Sequence, residues 1–154
     1  MLARLRGTHP AILLMGLDLF GLAVATYLSV VELQGNLPYC GPLKGCEEVA
    51  LSEYARIGGP QGMPVAVFGV FLSIALFLLA LRWWRTGERW ALAGHYGLSL
   101  AGVLFELYFT YVELFIIGAL CVWCALYGLS LLARFLVALA VWMRRDRIAA
   151  AYPQ

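Results

Sequence analysis

The sequence predicts an all-α membrane protein, a four-transmembrane-helix bundle with an extracytoplasmic loop that contains a short half-helix. Of its 154 residues, 63% are hydrophobic and only 13% are charged, whereas soluble domains hold roughly 45–50% apolar and about 25% charged residues. Several apolar runs reach the ~20 residues that a helix needs to cross a bilayer. One polar segment, rich in glycine and proline, separates the first run from the second. We interpret residues 1–154 as a single integral membrane domain.

The predicted spans cover approximately residues 11–31, 63–81, 91–117 and 120–143. The first could instead be a signal peptide, because Ala23–Ala25 resembles a cleavage site behind a basic start. Asp18 interrupts the run, however, and apolar sequence continues to Val31, so a retained helix is the better interpretation. The last apolar stretch is ~50 residues long, too long for one crossing, and a reversal is expected near Gly118.

Residues 32–62 form the predicted outer loop, since their backbone would be left unsatisfied in hydrocarbon. Within it, Cys46 to Ile57 is expected to be the half-helix. The opposite side collects most of the basic residues: Arg4, Arg6, Arg82, Arg85, Arg89, Arg144, Arg145 and Arg147. Only Lys44 and Arg56 fall on the loop side. The positive-inside rule therefore predicts a multi-pass protein of the inner (plasma) membrane with both termini cytoplasmic.

All four cysteines fall on the extracytoplasmic side of this topology. Cys40 and Cys46 lie in the loop, and Cys121 and Cys124 form a CxxC motif at the start of the last span. Disulfides persist on that side of a membrane. The spacing matches zinc sites poorly, and no histidine follows Cys124 as c-type haem attachment requires, so no metal is predicted. A nucleic-acid partner is not expected, because no basic patch is present.

Two cysteine pairs within reach of each other can pass two electrons by thiol–disulfide exchange. The loop suits the pair that meets a soluble donor. The CxxC suits the pair beside a final acceptor, because a helix N-terminus stabilises a thiolate. Within a bilayer that acceptor would be a lipid-soluble quinone among apolar and aromatic side chains. Phe68 and Tyr111, near the outer ends of their spans, are the preferred aromatic contacts. The alternative is a non-enzymatic membrane protein with structural disulfides.

These features together resemble the vitamin K epoxide reductase family. Besides the four-span plan and the cysteines, the resemblance rests on Ser52, six residues after Cys46. The run from Leu114 to Cys124 is similar to bacterial members, and the resemblance extends over about residues 17–139. It implies that Ser52 and Tyr54 lie near a bound quinone.

The resemblance also implies an order for the thiols. Cys40 would exchange with a partner, Cys46 would relay electrons to Cys121, and Cys124 would face the quinone and form a transient adduct. The implied activity is that of a thiol–quinone oxidoreductase that reoxidises a periplasmic thioredoxin-like protein, with ubiquinone or menaquinone as acceptor. Because the chain ends at Gln154 without a fused thioredoxin-like domain, the partner is expected to be a separate protein.

A vitamin K quinone or epoxide reductase is the alternative within the same family. Eukaryotic members have a tyrosine four residues after the last cysteine, where this chain has Gly128, with Tyr127 one residue earlier. This departure counts against epoxide reduction and against a hydrogen bond from Tyr127 to quinone.

Asp18, Glu106 and Glu113 are ionisable residues within predicted spans, where such groups usually face the bundle interior. Interhelical hydrogen bonding is the preferred interpretation, and a proton route that serves quinone reduction is the alternative. His95 is expected at the cytoplasmic interface, far from the thiols.

Overall fold

The protein is described by a computed structural model that covers residues 2–41, 45–59 and 62–151, with side chains for residues 10–41, 45–59 and 62–144. The α-helices in these ranges are α1 (Leu2–Leu33), α2 (Gly45–Leu51), α3 (Val65–Thr86), α4 (Arg89–Tyr111) and α5 (Val122–Ala151). Four described helices are long and apolar enough to cross a membrane: Pro10–Leu33, Val65–Thr86, Arg89–Ile117 and Val122–Arg144. The predicted all-α four-span fold is therefore confirmed.

The outer surfaces of the spans are apolar, as a bilayer requires. Only 17–39% of the most apolar window of each span is buried within the bundle. Leu78, Leu107 and Leu129, on three different spans, are each more than half exposed. Lipid would cover such surfaces, whereas a soluble protein rarely exposes contiguous apolar patches on this scale.

The bundle has three buried layers. Helices α1 and α4 each pack against both α3 and α5, so each span has two neighbours. Leu14 and Leu92 belong to the layer beside the start of α1, Leu76 belongs to the middle layer, and Cys46 and Cys121 belong to the third. We call the first layer the terminal end of the bundle and the third layer the thiol end.

Glycines in the left-handed conformation make both tight reversals between spans. Gly87 (φ 70°) ends α3 and donates its N–H to the Trp83 carbonyl. At the thiol end, α4 continues into a π-helical turn, Val112–Ile117, which Gly118 (φ 75°) terminates. Glycine adopts this conformation without the steric cost of a Cβ atom. The reversal predicted near Gly118 is confirmed.

The outer segment between α1 and α3 folds back over the thiol end. After α2 come a 3₁₀ turn (Glu53–Ala55), strand β1 (Arg56–Ile57) and strand β2 (Met63–Pro64), and the two strands pair antiparallel. The predicted half-helix from Cys46 to Ile57 is wrong beyond Leu51. Ser52 adopts an extended conformation there, and its hydroxyl and its N–H both donate to the Val49 carbonyl. Serine competes with the helix for backbone partners in this way.

Some residues of the topology prediction lie outside the described parts. Lys44 is outside the described residues, and the side chains of the basic residues nearest the termini are outside as well: Arg4, Arg6, Arg145 and Arg147.

A buried polar cluster ties the four spans together towards the terminal end. Asp18 Oδ1 lies 3.5 Å from Arg134 Nε, and Asp18 Oδ2 lies 3.3 Å from His95 Nε2. Arg134 also donates to the hydroxyls of Ser73 (3.4 Å) and Ser130 (3.1 Å). The expected interfacial location of His95 is wrong, since its side chain is fully buried against Asp18. Asp18 faces the interior as predicted.

Removing one member of this ion pair is expected to destabilise the bundle strongly. Arg134→Met leaves the Asp18 carboxylate buried without its cation, which costs about 3–5 kcal/mol in comparable cases. The double variant Asp18→Asn/Arg134→Met removes both charges and should recover much of the loss. Thermal unfolding in detergent, followed by tryptophan fluorescence, measures both effects. Additive losses in the double variant would contradict the pairing.

Candidate redox-active site

The structure brings all four cysteines together at the thiol end. Cys46 and Cys121 are buried in one cluster with Phe109, and Cys40 and Cys124 pack against it. Cys40 and Cys46 form a disulfide with their Cα atoms 5.8 Å apart, whereas Cys121 and Cys124 are free thiols. An oxidised pair in the loop therefore lies beside a reduced pair at the start of α5, the arrangement that disulfide exchange requires.

The two thiols of the CxxC motif have different surroundings. Cys121, just before α5, is 2% exposed, and Cys124, within its first turn, is partly exposed. The N–H of Cys124 donates to Cys121 Sγ at 3.3 Å. Hydrogen bonds from Cys124 lower the pKa of the Cys121 thiol, although burial opposes them. Negative charge on the reduced pair is therefore favoured on Cys121.

The backbone at the start of α2 lies in close contact with the backbone just before the CxxC motif. A Cβ atom at Gly45 would overlap the Leu120 carbonyl oxygen and lie 2.9 Å from the Leu120 nitrogen, so the absence of a side chain allows the approach. On the other side of the loop disulfide, Trp123 Nε1 donates to the Tyr39 carbonyl at 2.9 Å. The Trp123 ring also packs on Tyr27, with centroids 4.8 Å apart. The loop is thus held in place next to each of its two cysteines.

Glu113 joins the two free thiols in a buried group. Its side chain is 1% exposed, and its Oε2 accepts the N–H of Cys121 at 3.4 Å. One carboxylate oxygen and the sulfur atoms of Cys121 and Cys124 all lie within 4.8 Å of one another. Sequence reasoning marked Glu113 as an interior carboxyl but missed its contact with the CxxC motif.

An apolar cavity of about 360 Å³ opens next to the motif. Cys46, Cys121 and Cys124 form part of its wall, together with the carboxyl-bearing Glu32 and Glu106. The rest is almost entirely apolar and includes Leu28, Val65, Phe68, Leu72, Phe105 and Phe109. The volume falls in the range of roughly 300–1,000 Å³ that is typical of sites for small organic ligands.

Two of the residues predicted to contact a quinone lie on this cavity. Cys124 is one, and Phe68, which is 49% exposed on α3, is the other. The protein therefore covers only about half of the Phe68 side chain at the cavity wall.

The other three predicted contacts lie elsewhere among the described residues. Ser52 lines a separate outer cavity of about 380 Å³, and its hydroxyl donates to Val49. Tyr54 is 38% exposed in the 3₁₀ turn. Tyr111 is 55% exposed and stacks on Phe115 with centroids 5.0 Å apart. Contacts from these three residues to a quinone stay predictions.

Tyr127 lines the cavity, but its hydroxyl is hydrogen-bonded within the protein. The hydroxyl donates to the Gly69 carbonyl at 3.0 Å and lies 3.3 Å from Ser73 Oγ. At the next position, a Cβ atom on Gly128 would lie 2.6 Å from Glu106 Cγ. The absence of a side chain at Gly128 therefore makes room for a cavity carboxyl group.

Arg134 is the functional-site neighbour that sequence reasoning missed altogether. Its guanidinium lies over the Tyr127 ring, with Cζ 5.6 Å from the centroid. An arginine within an apolar span is itself a signal, because such residues are costly and usually have a specific partner.

Gly45→Ala is expected to separate Cys46 from Cys121, because the added methyl group collides with the Leu120 backbone. In a background with Cys40→Ala and Cys124→Ala, only these two thiols remain. The yield of the Cys46–Cys121 disulfide on mild oxidation, measured by mass spectrometry, should fall several-fold. Gly16→Ala is the matched control, since a Cβ atom there meets nothing within 4 Å. Equal yields in both variants would contradict the role of this contact.

A family of known proteins matches most of the chain. No curated protein matches the chain. Against models of protein families, residues 12–139 match the vitamin K epoxide reductase family. The match reaches into all four spans and includes all four cysteines. The chain therefore belongs to the vitamin K epoxide reductase family, a family of oxidoreductases.

Proposed function

We propose that the protein is a membrane thiol–quinone oxidoreductase that reoxidises a separate periplasmic thioredoxin-like protein and so supports disulfide-bond formation. The observation that carries this proposal is the packing of all four cysteines into one cluster beside an apolar cavity. A static structural bridge in the loop would explain Cys40 and Cys46 alone. It would not explain two free thiols that pack beside that bridge and line the cavity.

Exposure supports an order of electron transfer. Cys40 is partly exposed, whereas its disulfide partner Cys46 is fully buried beside Cys121. A soluble thiol therefore reaches Cys40 first and releases Cys46 as a thiolate. Cys46 then exchanges with an oxidised Cys121–Cys124 pair and reduces it. Each exchange passes two electrons through a mixed disulfide.

The cavity fits a quinone ring as the final acceptor. A bound quinone takes up two electrons and two protons. The wall that Phe68, Phe105 and Phe109 contribute suits a flat, conjugated ring, and Cys124 gives the reduced pair access to it. Because the Tyr127 hydroxyl is bonded to Gly69 and Ser73, Glu32 and Glu106 are the wall groups best suited to hydrogen-bond a quinone oxygen.

Charge distribution supports an extracytoplasmic thiol end. Among the described residues, Arg82, Arg85 and Arg89 lie at the terminal end, where α3 meets α4. The described outer segment carries one basic residue, Arg56, and the acidic Glu47, Glu48 and Glu53. Basic residues are concentrated on the cytoplasmic side of membrane proteins, so the loop disulfide would face the periplasm.

Replacing either cysteine of the CxxC motif should abolish quinone reduction. Cys121→Ala and Cys124→Ala each remove one half of the dithiol that supplies the electron pair. Turnover is measured in detergent with a reduced thioredoxin-like protein as donor and a short-chain ubiquinone or menaquinone as acceptor. Val122→Ala, between the two thiols, is the control that should retain turnover. Sustained turnover in both cysteine variants would refute the proposed relay.

Phe68→Ala should weaken quinone binding without affecting thiol exchange. Loss of about 1 kcal/mol of aromatic contact raises the KM for quinone about fivefold. Phe71→Ala is the matched control, because Phe71 is 64% exposed on the same helix and lies outside the cavity wall. Equal KM values for the two variants would remove Phe68 from the site.

A further inference from the structure

Glu113 occupies an unusual backbone position directly against the CxxC motif. It lies in the π-helical turn Val112–Ile117, and its carbonyl oxygen accepts the N–H groups of Gly118 and Ala119. Isolated π turns are rare and often occur at functional sites. The turn brings the Glu113 side chain against the thiols, where Oε2 accepts the Cys121 N–H at 3.4 Å.

Among the described residues, no basic side chain compensates the charge of the buried Glu113 carboxyl group. Its Oε1 is buried without a hydrogen bond, and no described basic side chain forms an ion pair with it. The titratable groups near it are Cys121 just before α5, Cys124 in the first turn of α5, and Glu106 on α4. A buried carboxyl group without a cation is costly. A proton shared with the neighbouring thiols would remove that cost.

We propose that Glu113 is a catalytic proton-transfer residue, which accepts a proton from the Cys121–Cys124 dithiol and returns it to the reduced quinone. The proposal rests on the proposed function and adds a residue to it. Its basis is contact geometry: a carboxylate oxygen lies within 4.8 Å of both sulfur atoms, in a site that is closed to solvent at Cys121 and Glu113.

The step balances in atoms and electrons. Two S–H bonds break, the Sγ–Sγ bond of Cys121 and Cys124 forms, and the quinone takes the electron pair. The Glu113 carboxylate accepts one thiol proton while the disulfide closes, and the resulting carboxylic acid passes that proton to one oxygen of the reduced quinone. The second thiol proton reaches the other oxygen, which completes the quinol. Glu113 ends the cycle as it began, ionised.

Glu113→Gln tests the proposal because it removes the base and retains structure. The glutamine side chain oxygen can still accept the Cys121 N–H, so the local hydrogen bond persists. At neutral pH, single-turnover quinone reduction by the fully reduced protein should slow by about 10²–10⁴-fold, the usual contribution of a positioned base. Glu47→Gln, the same change on an exposed residue of α2, should leave the rate unchanged.

The pH profile distinguishes a proton-transfer role from a structural one. Without the carboxylate, a thiol must ionise in another way, so the rate of Glu113→Gln should rise with pH towards the ordinary thiol pKa of about 8.5. The wild-type rate should vary much less over that range. Glu113→Asp, which keeps a carboxylate, should restore part of the neutral-pH rate.

The possible outcomes separate this inference from the proposed function. A wild-type protein that fails to reduce quinone would overturn the proposed function. A Glu113→Gln protein with the wild-type rate and pH profile would overturn the role of Glu113 alone. A slow rate that is independent of pH would also overturn it, since a merely structural role gives that result. Reduction of the Cys40–Cys46 disulfide by the soluble donor, measured separately, should be the same in wild type and variant.

Discussion

The whole arrangement of thiols depends on one contact, the close approach of the Gly45 backbone to the backbone of Leu120. These two residues come from segments far apart in the chain, and each directly precedes a cysteine of a different pair. Because two backbones meet there, no side-chain movement can relieve a change in their separation. The apolar packing of Val49 and Phe109 around Cys46 then closes the interface. The meeting of the two cysteine pairs thus depends on how the loop is positioned on a helix reversal.

The buried polar cluster gives the bundle a register that apolar packing alone would not. Lipid is as apolar as the helix surfaces, so hydrophobic burial does not select one rotation of a span over another. Asp18 and Arg134 must meet, and this fixes α1 relative to α5. Arg134 also lies over Tyr127, which forms part of the cavity wall. The charges near the terminal end therefore help to shape the site near the thiol end.

The fold could be predicted because local sequence features, apolar runs and glycine positions, determine where the spans and their reversals lie. Apolar runs indicated the spans, and Gly118 marked the last reversal. The half-helix was predicted too long, because a serine side chain that competes with the helix, as at Ser52, is a weak local signal. The partnership of Asp18 with Arg134 joins residues more than a hundred positions apart, and no periodicity reveals such pairs. The sequence predicts an interior location for Glu113, but its contact with Cys121 depends on a π turn that no sequence pattern indicates.

That π turn also has a geometric consequence for the cysteine motif. A π turn is an α-helix with one residue inserted, and one residue rotates the following side chains by about 100° around the axis. Gly102, Phe105 and Phe109 line the cavity before the turn, whereas the reversal at Gly118 and the CxxC motif follow it. Deletion of one residue from the turn would therefore rotate the CxxC motif relative to the part of the cavity wall that α4 contributes.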